Sequence, residues 1–195
     1  MIVNLELEPG AVLNERELMS HLGAGRTPLR EAIQRLVIDK LAVVFPRHGA
    51  FVANISLEDL SSITDVRIAL DGYCANLAAM RRTETDVQKL FELLQATHGP
   101  EASSYEAIGH IDEKLHLAVA EVAGNDHLVG LVNRYYALTR RMWNLARSRP
   151  LAKDYLMGAQ WDSIINAIRL GDSAAAEEAM REHVRLSRVH LHRVM

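Results

Sequence analysis

The chain has 195 residues, 49% hydrophobic and 24% charged, with a formal net charge of −3; this suits one large domain or a small and a medium one. The lone cysteine, Cys74, excludes an internal disulfide framework and fits a reducing compartment. No apolar run approaches the roughly 18 residues of a membrane span, and MIVNLELEPG is not a basic segment followed by an apolar core, so the expectation is a cytoplasmic protein with no membrane partner.

A negative chain argues against nucleic acid until the distribution of charge is considered. Arg26, Arg30, Arg35, Lys40 and Arg47 fall within residues 26–48, opposed there only by Glu31 and Asp39. Beyond residue 54 acidic residues outnumber basic ones. A local basic surface on an acidic body is compatible with DNA.

Asn14 can cap a first helix over Glu15–Leu22. Gly23 and Gly25 then permit a tight turn. In the next helix Thr27 is expected as the cap and Pro28 at the first position, where a missing N–H costs nothing. Leu29, Ile33, Leu36 and Val37 recur at helical spacing and should be buried, which leaves Thr27, Arg30 and Gln34 on the polar side. Ala42–Pro46 and Ala50–Asn54 read as two strands joined by Arg47-His48-Gly49, a small wing.

This order of parts pushes a helix into the DNA major groove. Arg30 and Gln34 have the donors and acceptors to read guanine and adenine edges. Arg16 and Arg26 sit near helix starts, where phosphates also find free amides, and Arg47 and His48 can contact the backbone or minor groove. Any one of these residues alone is more often part of a solvated face. Their joint register favours DNA.

From Ser56 onward the pattern is helical. Ser56-x-x-Asp59, Thr83-x-x-Asp86 and Ser103-x-x-Glu106 resemble capping boxes. They open helices over about 57–82, 84–97 and 104–123. Three more are expected at about 126–148, 152–170 and 172–193, broken by Pro150 and by Gly171-Asp172. The fold class is therefore mostly α, a winged helix-turn-helix followed by an all-α antiparallel six-helix bundle. Within the bundle, Asp112 and His116 lie one helical turn apart. They make either half of a divalent-metal site or an ordinary surface pair.

ERELMSHLGAGRTPLREAIQRL with RHGAFV resembles the winged helix of the GntR family of bacterial transcription regulators. DVRIALDGYCANLAAMRR, HIDEKLHLAVAEVAGNDHLVGLV and INAIRLGDSAAAEEAMREHV resemble its FadR-type ligand-binding (FCD) domain. The resemblance covers nearly the whole chain. It implies a DNA-binding domain over 1–54 whose first helix is missing, and an effector-binding and dimerisation domain over 56–195. The implied DNA contacts are Arg16, Arg26, Thr27, Arg30 and the His48-Gly49 of the wing.

For the second domain the resemblance implies a divalent metal (Zn, Ni or Mn-like) on Asp112, His116 and His183. A further histidine is expected where this chain has Trp161. Indole donates only and cannot ligate, so the ligand set is incomplete, and a metal-free pocket walled by Trp161 is the competing expectation. His190 shares a helix face with His183 and is the best substitute histidine. Arg67 looks like the family arginine that meets an effector carboxylate, though it could equally pair with Asp71 on the surface.

The leading expectation is a transcription regulator, acting as a repressor on a double-stranded DNA operator. It would bind as a homodimer and answer to a small organic acid. The alternative is a metal-dependent hydrolase centred on Asp112, His116 and His183, which leaves the winged helix unexplained.

Overall fold

A computed structural model of the chain describes residues 1–99, 104–146 and 158–195, with backbone only at 105, 158 and 159. These fall into two compact units, Met1–Ser56 and Leu57–Met195. The parts of the expected helices at 147–148 and 152–157 and the Pro150 break lie outside the described residues.

In the first unit, α1 (Glu15–Leu22) begins at Asn14, whose side chain accepts from the amides of Arg16 and Glu17. It ends at Gly23, in the left-handed region at φ 62°, where a side chain would be strained. Helix α2 (Arg26–Ile38) starts two residues earlier than expected. Its N-cap is Gly25, with no side-chain hydrogen bond, so Thr27 is not the cap. Gly25 is already extended (φ −73°, ψ 168°) and its carbonyl accepts from Leu29 N, which places Arg26 and Thr27 in the first turn. Pro28 is then third in the helix, still among the four amides that lack an intrahelical acceptor.

Strands β1 (Ala42–Phe45) and β2 (Gly49–Val52) pair antiparallel, with Ala42 opposite Val52 and Phe45 opposite Gly49. Gly49 is thus a ladder residue and not part of the loop. Ahead of α1 the described residues hold no helix. Instead Val12 bridges Phe51, Leu13 N donates to Ala50 O, and Val52 N donates to Ala11 O. Ile2, Leu13, Leu29, Ile33, Leu41, Ala42 and Val52 close the small core.

The second unit is helical throughout its described residues. Helix α3 (Leu57–Arg81) packs against α5 (Tyr105–Val122), α6 (Asp126–Ala146), α7 (Gly158–Leu170) and α8 (Ser173–Val194). Such a central helix needs small residues, and Ala75, Ala78 and Ala79 are fully buried. Gly72 is required for the same reason, since a Cβ there would stand 2.8 Å from Arg181 Cγ on α8.

Helix α4 (Glu84–His98) opens with the expected reciprocal box, Asp86 N on Thr83 Oγ1 and Thr83 N on Asp86 Oδ2. Helix α5 is capped by Ser104, which accepts from Ala107 N, so the cap falls one residue after the expected Ser103. Leu115, Trp161, Ile164, Ile165, Ile168 and Met180 form the core between α5, α7 and α8. None of the described helices is long and apolar enough to cross a membrane.

Candidate functional site

Two groups of residues answer to the sequence analysis, one in each unit. On α2, Arg26, Thr27, Arg30, Glu31, Gln34 and Arg35 line one shallow, open groove. The buried face of the same helix carries Leu29 and Ile33, which fixes the polar face outward. Arg16 is exposed on α1, and Arg47 and His48 are exposed in the turn between the strands, Arg47 at φ 67°. With no side chain on its first amides, the start of α2 presents free donors beside Arg26 and Thr27.

Arg30 is held from α1. Its Nε donates to Glu15 Oε1 at 2.9 Å, leaving the outer edge of the guanidinium available. The hydrogen bond from Arg30 holds the Glu15 carboxyl below its ordinary range. Glu15 escaped the sequence reading, and Arg35 entered it only as part of the local basic charge. Only the turn geometry between α1 and α2 brings Glu15 under Arg30.

In the helical unit the separated segments converge. Asp112 and His116 from α5, His183 from α8, Trp161 from α7 and Arg67 from α3 are all buried. The Nε2 atoms of His116 and His183 are 3.2 Å apart, and His183 Nε2 is 3.2 Å from Asp112 Oδ1. His116 Nε2 lies 3.7 Å from Asp112 Oδ2. One ligand atom from each of the three residues falls within 4.8 Å of the others.

Each member is oriented by a neighbour. Asp112 accepts from Trp161 Nε1 at 2.8 Å and from the Tyr136 hydroxyl at 2.7 Å. His183 Nδ1 donates to Gln160 Oε1 at 2.8 Å, which turns Nε2 toward the cluster. Arg67 is not a surface residue. Its Nε and Nη2 hold Asp71 Oδ2 at 2.9 and 2.8 Å, and Nη2 stands 3.0 Å from His116 Nε2. Tyr136, Gln160 and Asp71 were not singled out from sequence. Asp71 was legible only as Arg67's neighbour one turn on, and Tyr136 carried no signal.

Burial drives the His116 imidazolium well below its usual value, and Arg67 adds to that, so the ring is neutral. Burial alone would raise Asp112. The facing histidines and the Tyr136 hydroxyl reverse this and keep its carboxyl below the usual range. Asp71, Asp112 and Arg67 are thus buried together with the two imidazoles, an arrangement that is costly to leave incompletely paired.

The donor set fits a divalent metal. Two imidazole nitrogens on one tetrahedral ion at about 2.0–2.1 Å lie about 3.3 Å apart, and the two Nε2 atoms stand at 3.2 Å. Trp161 donates and cannot ligate. His190 is not brought into the cluster; it stacks on Trp143, with ring centroids 5.4 Å apart.

Comparison with known proteins agrees with this division. A sequence model described as bacterial regulatory proteins, gntR family, matches residues 1–52, and one for the FCD domain matches residues 62–186. The chain belongs to the gntR family of bacterial transcription regulators, with an FCD domain. It is therefore a DNA-binding regulator and not an enzyme.

It is 29% identical to the HTH-type transcriptional regulator LutR of Bacillus subtilis (strain 168), over 94% of this chain and 93% of that one. It is 31% identical to the Uxu operon regulator of Haemophilus influenzae, over 91% and 72%. The structure of E. coli McbR/YncC superposes with a TM-score of 0.85 at 21% identity, covering 98% and 92%, a likeness of fold.

Proposed function

We propose that the chain is a cytoplasmic repressor that binds its operator as a homodimer and loosens or tightens that grip in response to a small carboxylic acid held in the helical unit. The observation that carries this is the convergence of Arg67 with Asp112, His116 and His183 in a buried polar cluster. A core that buries so much charge without a ligand gains nothing in stability over an apolar one. Only residues 53–56 separate the wing from α3, the helix that carries Arg67. An acid that prefers one arrangement of the helices would act on DNA through that short connection.

Reading of the operator falls to Arg26, Thr27, Arg30 and Gln34 on α2. Arg16, Arg47, His48 and the Gly49 backbone supply contacts to phosphate and wing. Asp112, His116 and His183 would hold a divalent cation, and their two imidazoles favour zinc or nickel over magnesium. The cation would supply a positive anchor for the acid's carboxylate. Trp161 occupies the remaining side, so the fourth position belongs to water or to the acid itself. Arg67 offers the acid a planar pair of donors.

The test uses the full-length protein and DNA from its own promoter region. Fluorescence anisotropy should show a sequence preference that Arg30→Ala removes. A panel of small carboxylates, screened by melting temperature, should yield one that raises it and shifts the DNA affinity. A preference that survives Arg30→Ala, or carboxylates that move neither quantity, would overturn the proposal.

A further inference from the structure

His116 Nε2 has one in-plane lone pair. In this structure Arg67 Nη2 points an N–H at it from 3.0 Å, while His183 Nε2 and the Asp112 carboxylate converge on the same space. A nitrogen that accepts from a guanidinium cannot ligate a metal at the same time. We propose that Arg67 is a built-in competitor for the cation site, so that the guanidinium occupies His116 Nε2 when the cation is absent and must withdraw from it when the cation is present. This rests on the reading of Asp112, His116 and His183 as the cation's ligands.

Three further observations support an exchange over a static contact. First, Arg67 has somewhere to stay: Nε and Nη2 both reach the Asp71 carboxylate, whose Oδ1 has no partner, so a shift of the whole planar guanidinium toward Oδ1 frees His116 without breaking the pair. Second, two of the buried polar atoms that lack a hydrogen bond are Asp71 Oδ1 and His116 Nδ1, the unused atoms of the two residues that flank Arg67. Asp71 Oδ2 stands 3.5 Å from His116 Nδ1, short of a good bond. When Arg67 turns away, a small rotation of Asp71 lets it accept a hydrogen bond from Nδ1–H. A carboxylate–histidine pair then orients Nε2 for ligation. Third, the Arg67 guanidinium lies against the Tyr136 ring, its Cζ 4.9 Å from the centroid, a surface along which a planar cation can slide.

Two residues thereby acquire roles. Arg67 sets how strongly the site takes a metal, and it becomes available to an anion only after the metal has entered. Asp71 is a positioning residue, the tether in one state and the partner of His116 in the other. Metal and anionic effector would then strengthen each other's binding, and the effect must be reciprocal.

The experiment titrates the metal-stripped, full-length protein with zinc against a competing chelator. Parent, Arg67→Gln and the double variant Arg67→Gln/Asp71→Asn are compared, the last removing the buried pair together in case a lone Asp71 prevents folding. Arg67→Gln is expected to bind zinc on the order of 10-fold more tightly than the parent, and the double variant more tightly than the parent by a smaller factor, because it also loses Asp71's support of His116. A crystal structure of the zinc-loaded parent should show Nη2 withdrawn from His116 with Nε still on Asp71. Equal zinc affinity in all three proteins, or zinc held without His116, overturns the competition and leaves the metal site standing. No zinc binding in any of them overturns both.

Discussion

Trp161 donates a 2.8 Å hydrogen bond from Nε1 to Asp112 Oδ1, from the position where the family resemblance sets a histidine. Under the proposed ligation, a donor to Asp112 stands where the resemblance sets a ligand. Trp161→His should add a third imidazole, and so a fourth protein ligand, and tighten zinc binding by about 10-fold or more, because structural zinc sites use four protein ligands. Metal content after dialysis measures it. Trp161→Phe instead leaves the Asp112 oxygen one donor short and should lower stability by about 1–3 kcal/mol, visible in a denaturant titration.

Arg30 and Glu15 give a second test. Arg30→Lys keeps the charge but loses the fork that matches guanine, so it should cost about 1–3 kcal/mol of discrimination at one base pair. Non-specific affinity should hardly change. Arg16→Ala should weaken all sequences alike and shallow the salt dependence. Anisotropy at several salt concentrations separates the two patterns. If Arg30→Lys weakened every sequence equally, Arg30 would be a phosphate contact.

Lys40 ends α2 in the left-handed region at φ 58°. Around it Leu41 N bonds Leu36 O and Lys40 N bonds Val37 O, the paired closure that usually carries glycine. Lys40→Gly should therefore stabilise the first unit by about 0.5–1 kcal/mol. Slower amide exchange in α2 is the expected sign.

Burial, with Asp71 nearby, pushes the Cys74 thiol up to about 12. Its folded value lies above the unfolded one of about 8.5, so the protonated thiol contributes stability below about pH 8.5. That contribution is lost as pH rises from there toward about 12. Near pH 8 the folded protein should resist iodoacetamide, and unfolded protein should react readily. Equal rates would show that the thiol is accessible.

Much of the architecture could be read from residues that punctuate the chain. Asn14, Gly23, Thr83, Asp86 and Asp172 act locally, so their capping roles or turns needed no tertiary knowledge. The cap of α2 was misread because Thr27 and Gly25 are both acceptable N-caps and the choice depends on the incoming backbone. The pairing of residues 10–13 with β2 was missed because LELEPGAVL is short and carries a proline. At the buried cluster, spacing alone related Asp112 to His116. His183, Trp161 and Arg67 came from resemblance. Tyr136 and Gln160 reach the cluster across helix contacts that no local pattern encodes.

The stitching of residues 10–13 onto β2 also guards the wing. A bare two-stranded ribbon offers both flanks to other chains, whereas here Gly10, Ala11 and Leu13 are hydrogen-bonded along the β2 flank. Trimming the chain to begin at Asn14 would strip that flank, and the shortened protein should self-associate through it before it loses its helices.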